Sequence, residues 1–303
     1  MFKLPVCYYM GMNTISWSDI KAALPTLVET SSGYTTAQRG IVTLPESQKL
    51  FVKVGHDDLT KQWAHKEILV YRFLHKVRYP FIPKFIAAND DETAFALEPL
   101  ENDWDWSDNW TVERLSKTLG AMDSLAEISP HSEDTPLFEK SFISETADGW
   151  HSLRESQDLQ QILRDKLVAV NRNDLAGELD FVANARLSSK FIFERTALVH
   201  NDVRADNCAW NESQQAVKLI DWNWVQLGDR RIDVGAFLVH VHKTGFDIKD
   251  YSDRLDKAAL HWLAGFWFKS ATQPLLDGSS EHAKLRDYQL ASGIVAFDLA
   301  QSL

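Results

Sequence analysis

Two short apolar runs in the second half of the chain each end in polar residues. The first, residues 196–199, leads into the polar segment 200–207, and the second, residues 217–220, leads directly into Asp221 and Trp222. Short apolar runs with this kind of boundary are typical of buried β-strands. We therefore expect the polar side chains of both segments to converge where the two strands end.

Three of these polar residues have the chemistry that moves a phosphoryl group. Phosphoryl transfer needs a carboxylate that orients and deprotonates the attacking hydroxyl, and oxygen ligands that hold Mg²⁺ against the phosphate oxygens. Asp202 suits the first task, and Asn207 and Asp221 suit the second. The segment predicts a phosphoryl-transfer site with a bound magnesium ion.

Two further residues of the loop complete the set of catalytic candidates. Arg204 has the charge to neutralise the transferred phosphate, and the alternative is a surface pairing with Asp206. His200 is grouped with Asp202 and Arg204, although it is expected to brace the loop by packing and hydrogen bonding because Asp202 takes the role of base.

An earlier strand and helix supply a lysine and a glutamate that can pair. In residues 50–54 the period of two places Phe51 and Lys53 on one face of a strand, with Val52 and Val54 on the other. Residues 59–74 follow with apolar side chains at helical spacing, and Glu67 lies on one face of this helix. We expect Glu67 to meet Lys53.

The spacing of these residues resembles that of the aminoglycoside phosphotransferase family. The shared pattern is His200, one residue, Asp202, four residues and Asn207, followed later by a hydrophobic residue, Asp221 and a tryptophan. The family usually has Gly where this chain has Asn201. By position, Asp233 matches an acid that in the family braces the backbone of the catalytic loop. The resemblance covers roughly residues 25 to 245.

The resemblance implies an α+β, two-lobed, protein-kinase-like fold. Residues 1–97 would form a small N-lobe with an antiparallel sheet and one helix, residues 98–102 a hinge, and residues 103–303 a larger, mainly helical C-lobe. It implies ATP or GTP as phosphate donor, with Lys53 on the phosphates, Glu67 orienting Lys53, and the backbone at Glu98 and Leu100 binding the adenine ring.

A loop between two possible strands is the candidate cover for the phosphates. Residues 30–37 are rich in small and hydroxyl side chains and contain Ser32 and Gly33, whose backbone N–H groups can bind phosphate oxygens. The loop has one glycine and no repeated glycine pattern, so a plain hairpin turn is the alternative.

Composition limits the partners of the chain. The net charge is −11, and no basic stripe interleaved with aromatic residues appears, so a nucleic-acid partner is not expected. No apolar run approaches the ~20 residues of a membrane span, and two cysteines cannot form a disulfide framework, which favours a cytoplasmic protein. The acidic balance suits a cationic acceptor, or merely confers solubility.

Two questions stay open at the level of the sequence. The acceptor of an aminoglycoside-like kinase could equally be a choline-, homoserine- or fructosamine-like metabolite, and a nucleotide-binding regulatory module without turnover is a further alternative. Residues 101–110 mix acids with three tryptophans. They could bind ammonium groups and stack on sugar rings, or form a capped helix start with buried tryptophans.

Overall fold

The computed structural model describes residues 15–30, 36–139, 143–144, 147–188, 191–274 and 280–303. These residues form two compact units. The N-terminal unit takes in the described residues of Met1–Arg72 together with Pro83–Leu100, and the C-terminal unit takes in Phe73–Ile82 and Glu101–Leu303. The predicted α+β class is confirmed. The lobe limit at residue 97 and the hinge at 98–102 stay predictions.

The N-terminal unit contains a five-stranded antiparallel sheet with strand order β1-β2-β3-β5-β4. Helix α2 follows β3 along the chain, and its last residues, from Phe73 onward, belong to the C-terminal unit. The elements are α1 (Trp17–Ala23), β1 (Val28–Glu29), β2 (Gln38–Thr43), β3 (Lys49–Val54), α2 (Asp58–Lys76), β4 (Phe85–Ala88) and β5 (Ala94–Leu97).

The two faces of β3 have different surroundings, as the period-two pattern predicts. Leu50 and Val52 are buried in an apolar cluster that also contains Ile20 of α1. Because successive side chains of a strand point to opposite faces, Lys53 lies on the other face, where it is 6% exposed.

Helix α2 begins with a side-chain cap and buries one face. The Asp57 carboxylate accepts a hydrogen bond from the Thr60 backbone N–H at 2.8 Å, which satisfies one of the free donors of the first turn. Glu67, Tyr71 and Leu74 are all buried, which confirms the predicted face. A glutamate buried on this face requires a partner.

The C-terminal unit is mainly helical and contains two small antiparallel sheets. One sheet pairs β7 with β10, and the other has the order β6-β8-β9. The elements are β6 (Trp104–Asp105), α3 (Val112–Ala126), α4 (Gly149–Glu155), α5 (Gln157–Ala169), α6 (Asn173–Ser188), β7 (Ala197–Val199), β8 (Cys208–Asn211), β9 (Ala216–Leu219), β10 (Gln226–Gly228), α7 (Arg230–Lys243), α8 (Lys257–Ala271) and α9 (Ser280–Ser302).

The two strands predicted from the sequence, β7 and β9, lie in different small sheets. β7 is completely buried, and β9 is held at its end by the Leu219 N–H, which donates to the Phe81 carbonyl at 2.7 Å. A core of helical side chains, including Trp150 and Phe268, fills the rest of this unit. Among the helices described, none has the length and apolar character to cross a membrane.

Candidate active site

The polar segment between β7 and β8 forms a loop that turns at Asn201. The loop starts after Val199 and closes with a single helical turn, Ala205–Asn207. Asn201 has φ of 63°, in the left-handed region that Gly favours and Asn tolerates. Its side-chain amide also donates to the Trp224 carbonyl at 3.1 Å. Asn is therefore compatible with the left-handed backbone that this chain has at the position where the family pattern has Gly.

The His200 ring ties together the two segments that carry the candidate acids. It is fully buried, and the Asp202 N–H donates to its Nδ1 at 3.3 Å, while its Nε2 lies 3.0 Å from the Ile220 carbonyl oxygen. Since a backbone N–H only donates and a carbonyl only accepts, the ring carries its proton on Nε2. Burial lowers the pKa of His200 to about 4. Both ring nitrogens make hydrogen bonds to the main chain, which is the geometry expected of a bracing residue.

Asp233 of α7 holds the backbone of the same loop. One carboxylate oxygen accepts the Asn201 N–H at 2.7 Å and the other accepts the His200 N–H at 3.2 Å. The residue is 3% exposed, and burial raises the pKa of its carboxyl to about 6. The two hydrogen bonds fix the direction in which the loop leaves β7, which is the bracing role that the sequence resemblance implied.

Replacing Asp233 by Asn should destabilise the fold by about 1–3 kcal/mol, because Asn has one acceptor oxygen for two buried N–H donors. The free energy of unfolding, measured by urea denaturation, tests this. The matched control is Asp253→Asn, at an exposed position that makes neither contact. Equal stability of the two variants would show that Asp233 does not brace the loop.

Asp202 lies at the centre of the loop and is held on both sides. The Asn207 side-chain amide donates to the Asp202 carboxylate at 3.0 Å and to its backbone carbonyl at 2.9 Å. The Arg204 Nε lies 3.1 Å from the other carboxylate oxygen. The Asp202 side chain is 25% exposed. Burial raises its pKa to about 7, against the lowering effect of Arg204. Such a carboxyl can accept a proton near neutral pH.

Asn207 and Asp221 are brought together by the main chain. The Ile220 N–H donates to the Asn207 carbonyl at 3.0 Å. Asp221 has φ of 62° and ψ of 68°, a left-handed conformation, and its carboxylate accepts the Asn223 side-chain amide at 2.6 Å. This backbone conformation explains why Asp is acceptable at the position, since Asp is among the few residues that adopt it readily.

The donor atoms of this pair fit magnesium. The Asn207 amide nitrogen is committed to Asp202, which leaves its oxygen as the ligand atom, and Asp221 supplies a carboxylate. Over the described ranges, no group of three or more His, Cys, Asp or Glu side chains could hold a metal ion. A two-residue oxygen site is typical of Mg²⁺ that also binds substrate phosphates.

Arg204 contacts both acids of its loop and an aromatic ring. Its guanidinium lies 3.1 Å from Asp202 and 3.1 Å from Asp206, and its carbon is 5.8 Å from the centre of the Tyr288 ring. Both expectations for Arg204 are therefore compatible with its position. It pairs with Asp206, and it also adjoins the carboxylate that would meet the acceptor.

In the N-terminal unit, Lys53 and Glu67 form the expected ion pair. The Lys53 ammonium contacts the Glu67 carboxylate directly. Their side chains are only 8% and 3% exposed. A buried pair with this geometry holds the lysine in one place, because either charge alone in the interior would be costly.

The nucleotide contacts expected elsewhere in this unit stay predictions. Ser32 and Gly33 lie outside the described residues. The Glu98 N–H donates to the Lys84 carbonyl at 2.9 Å, so it is already used within the sheet. If an adenine ring binds at Glu98 and Leu100, the Glu98 backbone can contribute only its carbonyl.

Part of the segment rich in acids and tryptophans surrounds a buried arginine. Arg114 of α3 is fully buried, and it donates to the Ser107 carbonyl at 2.7 Å and to the Cys208 carbonyl at 2.9 Å. The Asp105 carboxylate lies 3.4 Å from the same guanidinium, and the Trp110 ring stacks on it at 4.3 Å. The structural alternative, a capped helix start with Ser107 or Asp108 as the cap and buried tryptophans, is met only in part. Thr111 is the residue that caps α3, and of the three tryptophans only Trp110 is buried. The sequence signal for this buried arginine was the position of Arg114 on the largely apolar face of α3.

A group of residues on α7 and α9 was not anticipated from the sequence. The Ala205 N–H of the catalytic loop donates to His240 Nε2 at 3.1 Å, and His240 Nδ1 lies 3.3 Å from the Tyr288 hydroxyl. Burial lowers the pKa of His240 to about 3, so the ring is neutral. Lys243 places its ammonium 3.1 Å from the centre of the Tyr288 ring. No local pattern marks these residues, because the contacts join separate helices.

This fold and this set of side chains define a kinase-like phosphotransferase. The chain matches the profile of the family described as "Phosphotransferase enzyme family" over residues 28–266. The protein therefore belongs to the phosphotransferase enzyme family. The predicted enzyme class, a phosphotransferase with an alcohol group as acceptor, is confirmed at this level. No curated protein sequence matches the chain.

Solved structures of similar fold include three kinases of small molecules. A spectinomycin phosphotransferase in complex with ADP and spectinomycin has 16% sequence identity, covers 90% of this chain and 92% of its own, and gives a TM-score of 0.59. An ethanolamine kinase from Plasmodium vivax has 13% identity, 90% and 84% coverage and a TM-score of 0.53. A choline kinase from Streptococcus pneumoniae has 12% identity, 91% and 97% coverage and a TM-score of 0.53. These similarities confirm the predicted kinase-like fold.

Proposed function

We propose that the protein transfers the γ-phosphate of ATP or GTP to a hydroxyl group of a small, amino-containing acceptor. The observation that carries this proposal is the cluster around Asp202. Its carboxylate accepts a hydrogen bond from the Asn207 side-chain amide. The Asn207 backbone carbonyl in turn accepts a hydrogen bond from the N–H of Ile220, the residue before Asp221. These hydrogen bonds connect the proposed proton acceptor with the two proposed metal ligands, and phosphoryl transfer requires all three groups at one site.

In the proposed reaction Asp202 orients the acceptor hydroxyl for in-line attack on the γ-phosphorus and takes up its proton. Arg204, 3.1 Å from that carboxylate, helps to balance the charge that develops on the transferred group. Lys53 binds the phosphates of the donor, and Glu67 keeps its ammonium in place. Asn207 and Asp221 would hold Mg²⁺, which supplies charge neutralisation at the phosphate oxygens.

The presence of Asn201, where the family usually has Gly, does not favour a nucleotide-binding protein that has lost its catalytic activity. Asn201 adopts the left-handed conformation that a glycine would supply, and its side chain adds a hydrogen bond to the loop. A catalytically silent protein would have no physical need to keep Lys53, Asp202, Asn207 and Asp221 together. We therefore favour an active kinase.

The amino-containing acceptor is proposed from one exposed acid and from the similar structures. Asp108 is 64% exposed and lies 3.4 Å from His240, which also contacts the catalytic loop, so its carboxylate is available to an ammonium group. Three structures of similar fold are named for spectinomycin, ethanolamine and choline. Aminoglycosides, amino alcohols and hydroxy amino acids are the acceptor classes to compare.

The test is Mg²⁺-dependent release of ADP by the purified protein with a panel of aminoglycosides, amino alcohols, sugar amines and homoserine. We expect turnover with one of these classes and a rate at least about 10²-fold lower in Asp202→Asn. Tight binding of MgATP without any turnover would favour the silent module. Failure to bind either MgATP or MgGTP would overturn the proposal.

Replacing Asp221 by Asn should raise the Mg²⁺ concentration needed for half-maximal activity by about tenfold or more, because a coordinating carboxylate is lost. Asn is the cleaner probe than Ala because it tolerates the left-handed backbone at this position. The measurement is the initial rate against Mg²⁺ at saturating ATP. Asp250→Asn at an exposed site is the control, and an unchanged Mg²⁺ dependence would exclude Asp221 as a ligand.

Activity should fall on acidification through a single protonation. Burial raises the pKa of Asp202 to about 7, and only its ionised form can accept the proton of the acceptor. Added Mg²⁺ should move this fall to lower pH, because a nearby cation favours the carboxylate. The measurement is kcat/KM against pH at low and at saturating Mg²⁺. A rate that does not change across acidic and neutral pH would contradict the assignment of Asp202 as base.

A further inference from the structure

Tyr288 of α9 lies near Arg204 of the loop and also near a lysine that the proposed reaction does not use. The Arg204 guanidinium carbon is 5.8 Å from the centre of the Tyr288 ring, and the Lys243 ammonium is 3.1 Å from it. Arg204 in turn contacts the Asp202 carboxylate at 3.1 Å. Lys243 and Arg204 therefore lie near the same aromatic ring, and Arg204 contacts the carboxylate of the proposed base.

The two cations that share this ring differ in how their charges are balanced. Arg204 has the carboxylates of Asp202 and Asp206. Lys243 donates to the Ser292 hydroxyl at 2.7 Å and to the Tyr288 carbonyl at 3.3 Å, and among the described residues no carboxylate lies within 4.0 Å of its ammonium. Burial, and then the charge of Arg204, lower the pKa of Lys243 to about 7, against the raising effect of the more distant Asp108 carboxylate.

The overall composition of the chain does not explain the position of Lys243 near a second cation. The sequence has 43 acidic residues against 32 basic ones, so a lysine with a second cation nearby and no carboxylate within 4.0 Å among the described residues is not a consequence of composition. The Lys243 side chain is also partly exposed. A ligand that carries negative charge would remove the repulsion between the two cations, and it would restore the charged state of Lys243.

We propose that Lys243, together with Tyr288 and Arg204, binds an anionic group of the acceptor, so that the acceptor is a hydroxyl compound with a carboxylate or a phosphate. This inference rests on the proposed function and specifies its acceptor. With Asp108 as the acid for the amino group, the class that satisfies both charges is a hydroxy amino acid or an equivalent zwitterion. Such an acceptor keeps the cationic group that the net charge of the chain suggested and carries an anionic group in addition.

The first experiment compares acceptors that differ in one anionic group. MgATP binding is measured beforehand by calorimetry, because its absence would overturn the proposed function as a whole. Homoserine is then compared with 3-aminopropanol, and glycerol 3-phosphate with glycerol. We expect kcat/KM to be higher for the anionic member of one pair, and the pair that responds tells whether the group is a carboxylate or a phosphate. Preference for the uncharged members would overturn this inference and leave the kinase assignment intact.

Variants of Lys243 separate substrate binding from a purely structural role. Lys243→Met should lower kcat/KM for the anionic acceptor by at least about tenfold, through KM, because it removes one partner of a partly buried charge pair. The KM for ATP should not change, and Lys243→Arg should restore much of the affinity. The control is Lys257→Met, at an exposed position at the start of α8. Equal losses for charged and uncharged acceptors would indicate that Lys243 only joins α7 to α9.

A binding measurement keeps the inference testable if no acceptor in the panel is phosphorylated. A lysine with a lowered pKa reacts readily with an acylating reagent near neutral pH, and mass spectrometry reports the labelled fraction at Lys243. Homoserine or glycerol 3-phosphate should protect Lys243 while its uncharged counterpart does not, and labelling of Lys257 should be unaffected. Equal protection by both members of each pair, or protection by none, would overturn the proposal.

Discussion

The Asp202→Asn enzyme is expected to bind MgATP as the wild type does and to turn over about 10²- to 10⁴-fold more slowly, the usual range for loss of a general base. Asn has nearly the shape of Asp, and its oxygen can still accept the hydrogen bond that Asn207 donates at 3.0 Å. The substitution removes the negative charge and the proton-accepting site. We therefore expect the loss in kcat and not in the KM for ATP.

The control for this experiment is Asp206→Asn, which is the same substitution in the same loop. The Asp206 side chain is 44% exposed and pairs with Arg204 at 3.1 Å. Exposed ion pairs contribute up to about 1 kcal/mol, so a loss of no more than about fivefold is expected. Comparable losses in both variants would show that general disturbance of the loop, and not removal of a base, limits the rate.

The second large effect is expected at Lys53. Lys53→Met should destabilise the protein by about 3–5 kcal/mol, because it leaves the Glu67 carboxylate buried without its partner. It should also lower kcat/KM for ATP by about 10²-fold or more through loss of a phosphate-binding cation. The free energy of unfolding and the nucleotide kinetics are measured on the same preparation.

A double variant separates the two effects of Lys53. In Lys53→Met with Glu67→Gln no charge is left unpaired in the interior, so much of the stability should return while the activity does not. Glu67→Gln alone should retain part of the activity because Lys53 is still present. If activity returned along with stability in the double variant, Lys53 would act only as a structural residue.

Local patterns in the sequence were sufficient for the elements that carry the site. The alternation in residues 50–54 and the helical spacing after residue 58 placed Lys53 and Glu67 on facing surfaces, because strand and helix periodicities depend only on near neighbours. Strand ends followed by polar residues likewise located Asp202 and Asp221. Within a single strand or helix, the number of residues between two positions determines how their side chains are placed relative to each other.

Contacts between distant helices could not be predicted in this way. His240 reaches the Ala205 N–H across 35 residues, and Lys243 reaches Ser292 across 49. Their neighbours in the sequence give no sign of these partners, because the partners are set by how α7 and α9 pack. The net charge could not predict the charges that surround Lys243 either, because it is a sum over the whole chain and does not give the positions of individual charges.

The buried guanidinium of Arg114 limits how the specificity of this enzyme can be engineered. It joins the carbonyl of Ser107 to that of Cys208, the residue that follows the proposed metal ligand Asn207. Exchange of the 105–109 segment for that of another kinase would therefore change more than the acceptor. It would shift Cys208, the first residue of β8, and with it the neighbouring Asn207. Acceptor choice and the affinity of the proposed metal site would therefore have to be optimised together in a single library.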